Sequence, residues 1–290
     1  MLELGSLASF VVFAEHMNFT HAAEALHISQ PALHTKIKKL SESVGVPLYR
    51  KHGRRLELTH AGRELLRLGR DIRDLTDDFL NDIRAEEGLH PVVLVAGAGT
   101  YLYVLGEGIS AFVSSSQRKL RLMTKDREGS LEAVLSGEAH VGVAPLESCP
   151  PALESECLAI VPQVLVCPKD HPLASKKEVS LLDLEGASLI VPPADRPHRI
   201  ALSRALMSEG VSFEVSVEAM GWELMIHFVS LGLGVAVVNG SCRIPEGLVA
   251  RPLRELPSLH YHLFHRKGVL SESVRTLKEL LLKYAWQFEG

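Results

Sequence analysis

No stretch of this 290-residue chain approaches the roughly 18 uninterrupted apolar residues of a membrane-crossing helix, which argues against a helical membrane protein. Four cysteines (Cys149, Cys157, Cys167 and Cys242) are too few for a disulfide scaffold, so reduced thiols and a cytoplasmic setting are expected. The opening MLELGSLASF has no basic segment and carries Glu3, so no signal peptide is expected. There is no Gly-X-Y period, which excludes a collagen-like fibre. Excess positive charge is missing too: the net charge is −4, which at face value disfavours a polyanionic partner. What is present is a globular composition, 46% hydrophobic and 23% charged, at a length suited to two or three domains.

The average charge hides a local field. Residues 1–60 sum to +2, and all seven of their cations (Lys36, Lys38, Lys39, Arg50, Lys51, Arg54 and Arg55) fall between positions 36 and 55. Residues 61–87 and 88–290 each sum to −3.

The basic segment lies in a helical pattern. Leu7, Phe10, Val11 and Ala14 recur at helical period over about 4–16. Thr20 suits the cap of a short helix over THAAEALH, and His27-Ile28 form a turn. Ser29 can cap a third helix with Pro31 at its first position, burying Leu33, Ile37, Leu40 and Val44 and ending at Gly45. Two helices joined by a tight turn make a helix-turn-helix candidate. Residues 47–50 and 55–59 predict two strands around Gly53, a basic hairpin or wing. Thr59 then caps a long helix to about Glu87. Its apolar seam is Leu65, Leu68, Ile72, Leu75, Phe79 and Ile83, a period near 3.5 that fits pairing with a second copy or packing on the chain's own next domain.

Beyond the linker 88–91, strands and helices alternate. Strands are expected at 92–97, 120–125 and 140–146, then at 163–168, 184–193, 213–219, 234–239 and 260–266. The intervening helices run from about 98 to Val113, over Leu131–Ser136, Ile200–Ser208 and Trp222–Ser230, with Glu272–Phe288 closing the chain. The alternation predicts parallel sheets with crossover helices. Two such lobes make a hinged, periplasmic-binding-protein-like sensor with a cleft at the strand carboxyl ends. The fold class is therefore mixed: a mostly α winged helix-turn-helix (1–58), a linker helix (59–87) and an α/β two-lobed domain (88–290). Lobe I would hold about 92–160 and 266–290, and lobe II about 163–265.

The N-terminal run resembles the winged helix-turn-helix of LysR-type transcriptional regulators. The matching residues are Ala22-Ala23, Ser29-Gln30-Pro31-Ala32, Val44-Gly45-Val46-Pro47-Leu48-Tyr49 and Leu58-Thr59-His60-Ala61-Gly62. Later, LEAVLSGEAHVGV (131–143) and VSLGLGVAVV (229–238) resemble two further family segments. The resemblance implies a cytoplasmic, sequence-specific regulator that binds double-stranded DNA at an interrupted inverted repeat. It also implies a homodimer or homotetramer, a small-molecule effector between the lobes, and no cofactor. Gln30 would read a base, with His34 and Thr35 standing where the family often has Ser and Arg. Ser29, Thr20, Pro31, Lys36, Lys38, Lys39 and Arg50 would contact or position the backbone, and Arg54 and Arg55 would reach the minor groove. The effector loops would be Gly99-Thr100-Tyr101, with Thr100 or the Tyr101 hydroxyl as donor, and Arg127 or, with a shifted gap, Ser130. In the second lobe they would be Arg196-Pro197-His198 and Met220 with Trp222. Arg127, Arg196, His198 and Thr100 together would suit an anion such as a carboxylate.

Other features point elsewhere only weakly. His260, His262 and His265 have metal-like density, but strand alternation puts His265 on the opposite face, so no metal is expected. Cys149 and Cys157 admit a thiol-redox sensor on the same scaffold, although inert thiols fit better. A solute-binding protein or enzyme on the two-lobe fold is the other rival. No Ser-His-Asp order, metal helix or phosphate loop supports catalysis, so the chain is not expected to be an enzyme.

Overall fold

A computed structural model describes residues 3–52, 55–84, 91–116 and 119–285, without the side chains of 77, 78 and 80–84. Arg54 and the side chain of Ile83, both singled out above, lie outside the described residues, as does Gly53.

The reader comprises α1 (Leu4–His16), α2 (Phe19–Ala25), α3 (Gln30–Val44), the antiparallel hairpin β1 (Tyr49–His52) and β2 (Arg55–Leu58), and α4 (His60–Arg84). Asn18, not Thr20, caps α2: its side-chain oxygen accepts from the Thr20 and His21 amides at 2.9 and 3.3 Å. Ser29 caps α3 through the Ala32 amide, which makes Gln30 the first helical residue and Pro31 the second rather than the first. Gly45 ends α3 at φ 80°, a conformation that favours glycine. Phe10, Phe13, Leu33, Ile37, Leu40 and Leu48 form the core, and Phe13, Phe19 and Tyr49 pack their rings within 4.3–5.5 Å. Thr59 opens α4 by accepting from the Gly62 amide while donating to the Pro47 carbonyl. A Cβ on Gly62 would sit 1.9 Å from the Leu48 carbonyl oxygen, so the wing's close approach to α4 requires glycine there.

The seam of α4 divides between two jobs. Leu65 is buried, Leu66 and Gly69 are buried beside it, and Ile72 packs partly on the same reader core. Leu68, Leu75 and Phe79 remain exposed at 44%, 45% and 62%. The expectation of one continuous seam is therefore corrected: α1 takes one edge of the stripe, because Gly69 lets Leu7 and Val11 approach closely.

The first lobe's sheet has the order β4-β3-β5-β12-β6. Its strands β3 (Val92–Ala96), β4 (Leu120–Thr124) and β5 (Val141–Pro145) run parallel. Next to them β6 (Leu153–Val161) and β12 (Leu259–Arg266) complete the sheet by antiparallel pairing. The second sheet has the order β11-β7-β10-β8-β9. Here β8 (Ala187–Val191), β9 (Phe213–Glu218) and β10 (Val235–Asn239) are parallel, and β7 (Gln163–Pro168) and β11 (Leu248–Pro252) antiparallel. Both sheets are thus mixed rather than purely parallel. Strand β12 returns to the first sheet only after the chain has built the second. It also moves the lobe boundary, since residues 259–265 pair within the first sheet rather than belonging to lobe II. Strands β6 and β11 escaped the sequence reading because their half-exposed residues carry no clean apolar run.

Helices cover the sheets. In place of one helix to Val113 there are α5 (Ala98–Tyr103) and α6 (Gly106–Ser115), broken where the chain turns Val104 and Leu105 into the core. Helix α7 (Arg127–Leu135) starts earlier than Leu131 because Asp126 caps it through the Gly129 amide at 3.0 Å. Likewise α8 (Pro197–Ser208) starts at Pro197, ahead of Ile200, with the proline in its first turn. Helix α9 (Trp222–Ser230) matches its expected range, and α10 spans Glu272–Lys283, with Phe288 outside the described residues.

Candidate DNA interface and interlobe cleft

On the reader, α3 turns Leu33, Ile37 and Leu40 inward, which leaves Ser29, Gln30, Pro31, His34, Thr35, Lys36, Lys38 and Lys39 exposed. The Ser29 oxygen accepts the Ala32 amide, so its proton stays available to a phosphate. Gln30 lines one shallow concavity with Thr20 and Arg55, bringing helix and wing together on one face. Not every expected contact is free. His34 lies 5.2 Å from the Phe19 ring, and the Thr35 hydroxyl donates to the Pro31 carbonyl at 3.0 Å. Lys38 pairs with Glu42 at 3.9 Å and Arg50 with Glu57 at 3.2 Å, both on exposed surface where such pairs exchange readily for another anion. Lys36 and Lys39 make no ion pair among the described residues.

At the lobe junction, Trp222 at the start of α9 reaches Gly99, where a Cβ would stand 3.2 Å from the indole. On its other side the His198 ring meets Trp222 edge-on at 4.7 Å. Tyr103 packs against the cores of both lobes, and burial raises its pKa with Glu223 nearby adding to the shift. Below them the Tyr261 hydroxyl accepts from Asn239 Nδ2 at 2.9 Å. Residues from α5, β12, α8, α9 and β10 thus meet at the carboxyl ends of the parallel strands.

Several expectations change here. The Tyr101 hydroxyl faces the Leu94 and Met123 carbonyls at 2.8 and 2.9 Å, which ties β3 to β4 and leaves Thr100 as the loop's donor. His198 adds no charge to an anion site. Burial lowers its pKa to about 4, and Nε2 donates to the Val237 carbonyl at 2.9 Å. Arg127 is exposed and faces Glu128 at 4.0 Å, whereas Ser130 is fully buried with its hydroxyl on the Lys125 carbonyl. Arg196 keeps a buried Nε without a partner among the described residues, and Met220 is exposed. Tyr103, Asn239, Glu223 and Tyr261 were missed, because nothing local in the sequence shows that strands and helices so far apart converge.

The buried His198 has a measurable consequence. Between pH 6.5 and about 4 the unfolded chain takes up a proton that the folded ring refuses, so stability falls as pH falls through that window. Up to about 3 kcal/mol is at stake for a ring largely shielded from solvent. Comparing denaturant unfolding of wild type and His198→Gln from pH 7 to 4 should show a shallower pH slope in the variant; equal slopes would contradict a buried neutral ring.

Residues 4–63 match the family "Bacterial regulatory helix-turn-helix protein, lysR family", and residues 113–286 match the "LysR substrate binding domain". The HTH-type transcriptional regulator CatR of Pseudomonas putida is 35% identical over 243 residues, covering 83% of each chain. The chain belongs to the LysR family of transcriptional regulators. Another relative, the HTH-type transcriptional regulator YbhD of Escherichia coli, is 30% identical over 241 residues, 82% of this chain and 76% of the relative. Among solved structures, a full-length OxyR variant from Pseudomonas aeruginosa superposes with a TM-score of 0.72 at 21% identity, covering 98% of this chain and 94% of that one. Full-length CbnR in complex with its target DNA gives 0.55 at 22% identity, covering 98% and 100%. These two show the fold shared from end to end.

In this LysR-type regulator all four cysteines are free thiols. Cys167 and Cys242 are buried, and burial pushes the Cys242 thiol up to about 12, far from a reactive thiolate. No group of three His, Cys, Asp or Glu residues is arranged to hold a metal among the described residues. His265 is buried between the Arg266 carbonyl and Lys278. No described helix is long and apolar enough to cross a membrane.

Proposed function

We propose that this LysR-type regulator reads an interrupted inverted repeat as a homodimer and answers to a small carboxylate bound between its lobes. The observation that carries the DNA reading is the outward row of α3, where Gln30 and Lys36 stand free over buried Leu33 and Ile37. The dimer reading rests on the exposed stripe Leu68, Leu75 and Phe79. For the cleft, the Arg196 Nε, buried without a partner among the described residues at the start of the helix whose His198 meets Trp222, and the Thr100 donor next to Gly99 favour an anion. The chain acts as a regulator rather than an enzyme, releasing its ligand unchanged, and works in the cytoplasm where its DNA lies. Arg54, Arg55 and Lys39 complete the backbone contacts, and two dimers joining into a tetramer would engage a longer operator.

Titrating labelled operator at several salt concentrations tests this. Lys36→Ala should flatten the log–log salt slope by about 2, one phosphate per subunit, and weaken binding on all sequences alike. An unchanged slope would remove Lys36 from the interface. Repeating the titration with small carboxylates should find one that shifts wild-type affinity and leaves Arg196→Gln unmoved; a shift that persists in Arg196→Gln would place the ligand elsewhere.

A further inference from the structure

Helix α4 does not only carry the reader. Along its outer side, a polar cluster fastens it to the first lobe. Arg266, at the end of β12, is paired with Asp71 and also donates to the Val134 carbonyl at 3.1 Å. His140 Nε2 lies 2.9 Å from Asp74, while its Nδ1 accepts the Val93 amide at 2.8 Å. Arg70 reaches the Ser136 carbonyl at 3.2 Å and Glu15 of α1 at 3.4 Å. Gly137 makes this approach feasible, since a Cβ there would lie 2.4 Å from the Arg266 guanidinium.

Two of these acceptors, Val134 and Ser136, lie at the carboxyl end of α7, where the last carbonyls and the helix dipole favour arginine. The amino end of α7, with Asp126 and Ser130, follows β4 at the cleft side of the sheet. Nine helical residues span about 13 Å, so one short rigid rod runs between cleft and linker helix.

We infer that Arg266 is a positioning residue that locks α4 to the carboxyl end of α7, so that a shift at the cleft end of α7 is delivered to the DNA-reading arm. The clasp stands on the contacts above; its role in signalling rests on the cleft being the effector site. Bringing partly buried charges together this way is costly unless each finds its partner: Arg266 pairs with Asp71, and Asp74 accepts from the His140 ring. A single substitution therefore leaves a partner stranded and should release the arm.

Amide exchange of residues 67–76 in the full chain tests the clasp without any effector. Asp71→Ala and Arg266→Asp should each raise exchange there about tenfold, with the β3 amides of lobe I unchanged in Asp71→Ala. The swap Asp71→Arg with Arg266→Asp should recover most of the protection, which a merely space-filling role would not. Transmission has its own arm. Removing the α7 cap with Asp126→Ala should loosen residues 67–76 in wild type and add nothing in an Asp71→Ala background. Unchanged exchange in both single variants would overturn the clasp. Additive effects of Asp126→Ala would overturn transmission while leaving the clasp and the cleft reading intact.

Discussion

Replacing Leu75 and Phe79 together by glutamate is expected to yield a folded chain that sediments as a monomer and binds operator at least about a hundredfold more weakly. Neither residue joins the chain's buried cores, Phe79 is 62% exposed, and Leu75 lies at the open edge of a cavity beside the first lobe, so the substitutions leave those cores intact. In a dimer the same side chains would lie against a second helix, where four new carboxylates would be buried without partners at several kcal/mol. Losing the dimer costs one half-site's contacts, and each 1.4 kcal/mol is a factor of ten. Sedimentation and operator titration on one sample check both statements. A variant that remains dimeric would mean that the exposed stripe of α4 is not the interface.

The second large effect concerns the first lobe. Phe264 on β12 stands directly across from Gly142 on β5, and its ring fills the space that a Cβ at Gly142 would need, at 2.3 Å. The ring is fully buried among Val93, Val95, Val134 and Leu153. Phe264→Ala should destabilise the lobe by about 3–5 kcal/mol, because glycine opposite offers nothing to collapse into the cavity. Denaturant unfolding of the full chain, followed by a probe in the first lobe, gives the number; a loss under about 1.5 kcal/mol would show that the lobe repacks around the gap.

Much of the chain was legible because local chemistry dictates it. Ser29, Gly45 and Thr59 announce helix ends, and the structure uses each as a cap. Trp222–Ser230 was readable from the alternation of strands and helices. Legibility failed where distant segments decide. Strand β12 pairs with β5 across more than a hundred residues, and no local pattern assigns it to the first sheet. The α4 seam has the right period for a coiled coil, yet Leu65 and Ile72 lean on α1, which only the fold reveals. At the cleft, His198 was a fair anion ligand by type, but burial keeps it neutral. The total charge was the poorest guide of all, since −4 conceals seven cations gathered within twenty residues.

Base reading by α3 through Gln30 is open to a plain check: selection of bound DNA from a random library by wild type and by Gln30→Ala. Wild type should enrich an interrupted inverted repeat. Gln30→Ala should keep the repeat and its spacing but lose preference at one base pair in each half-site, a discrimination of about 1–3 kcal/mol. Identical preferences at every position would contradict it.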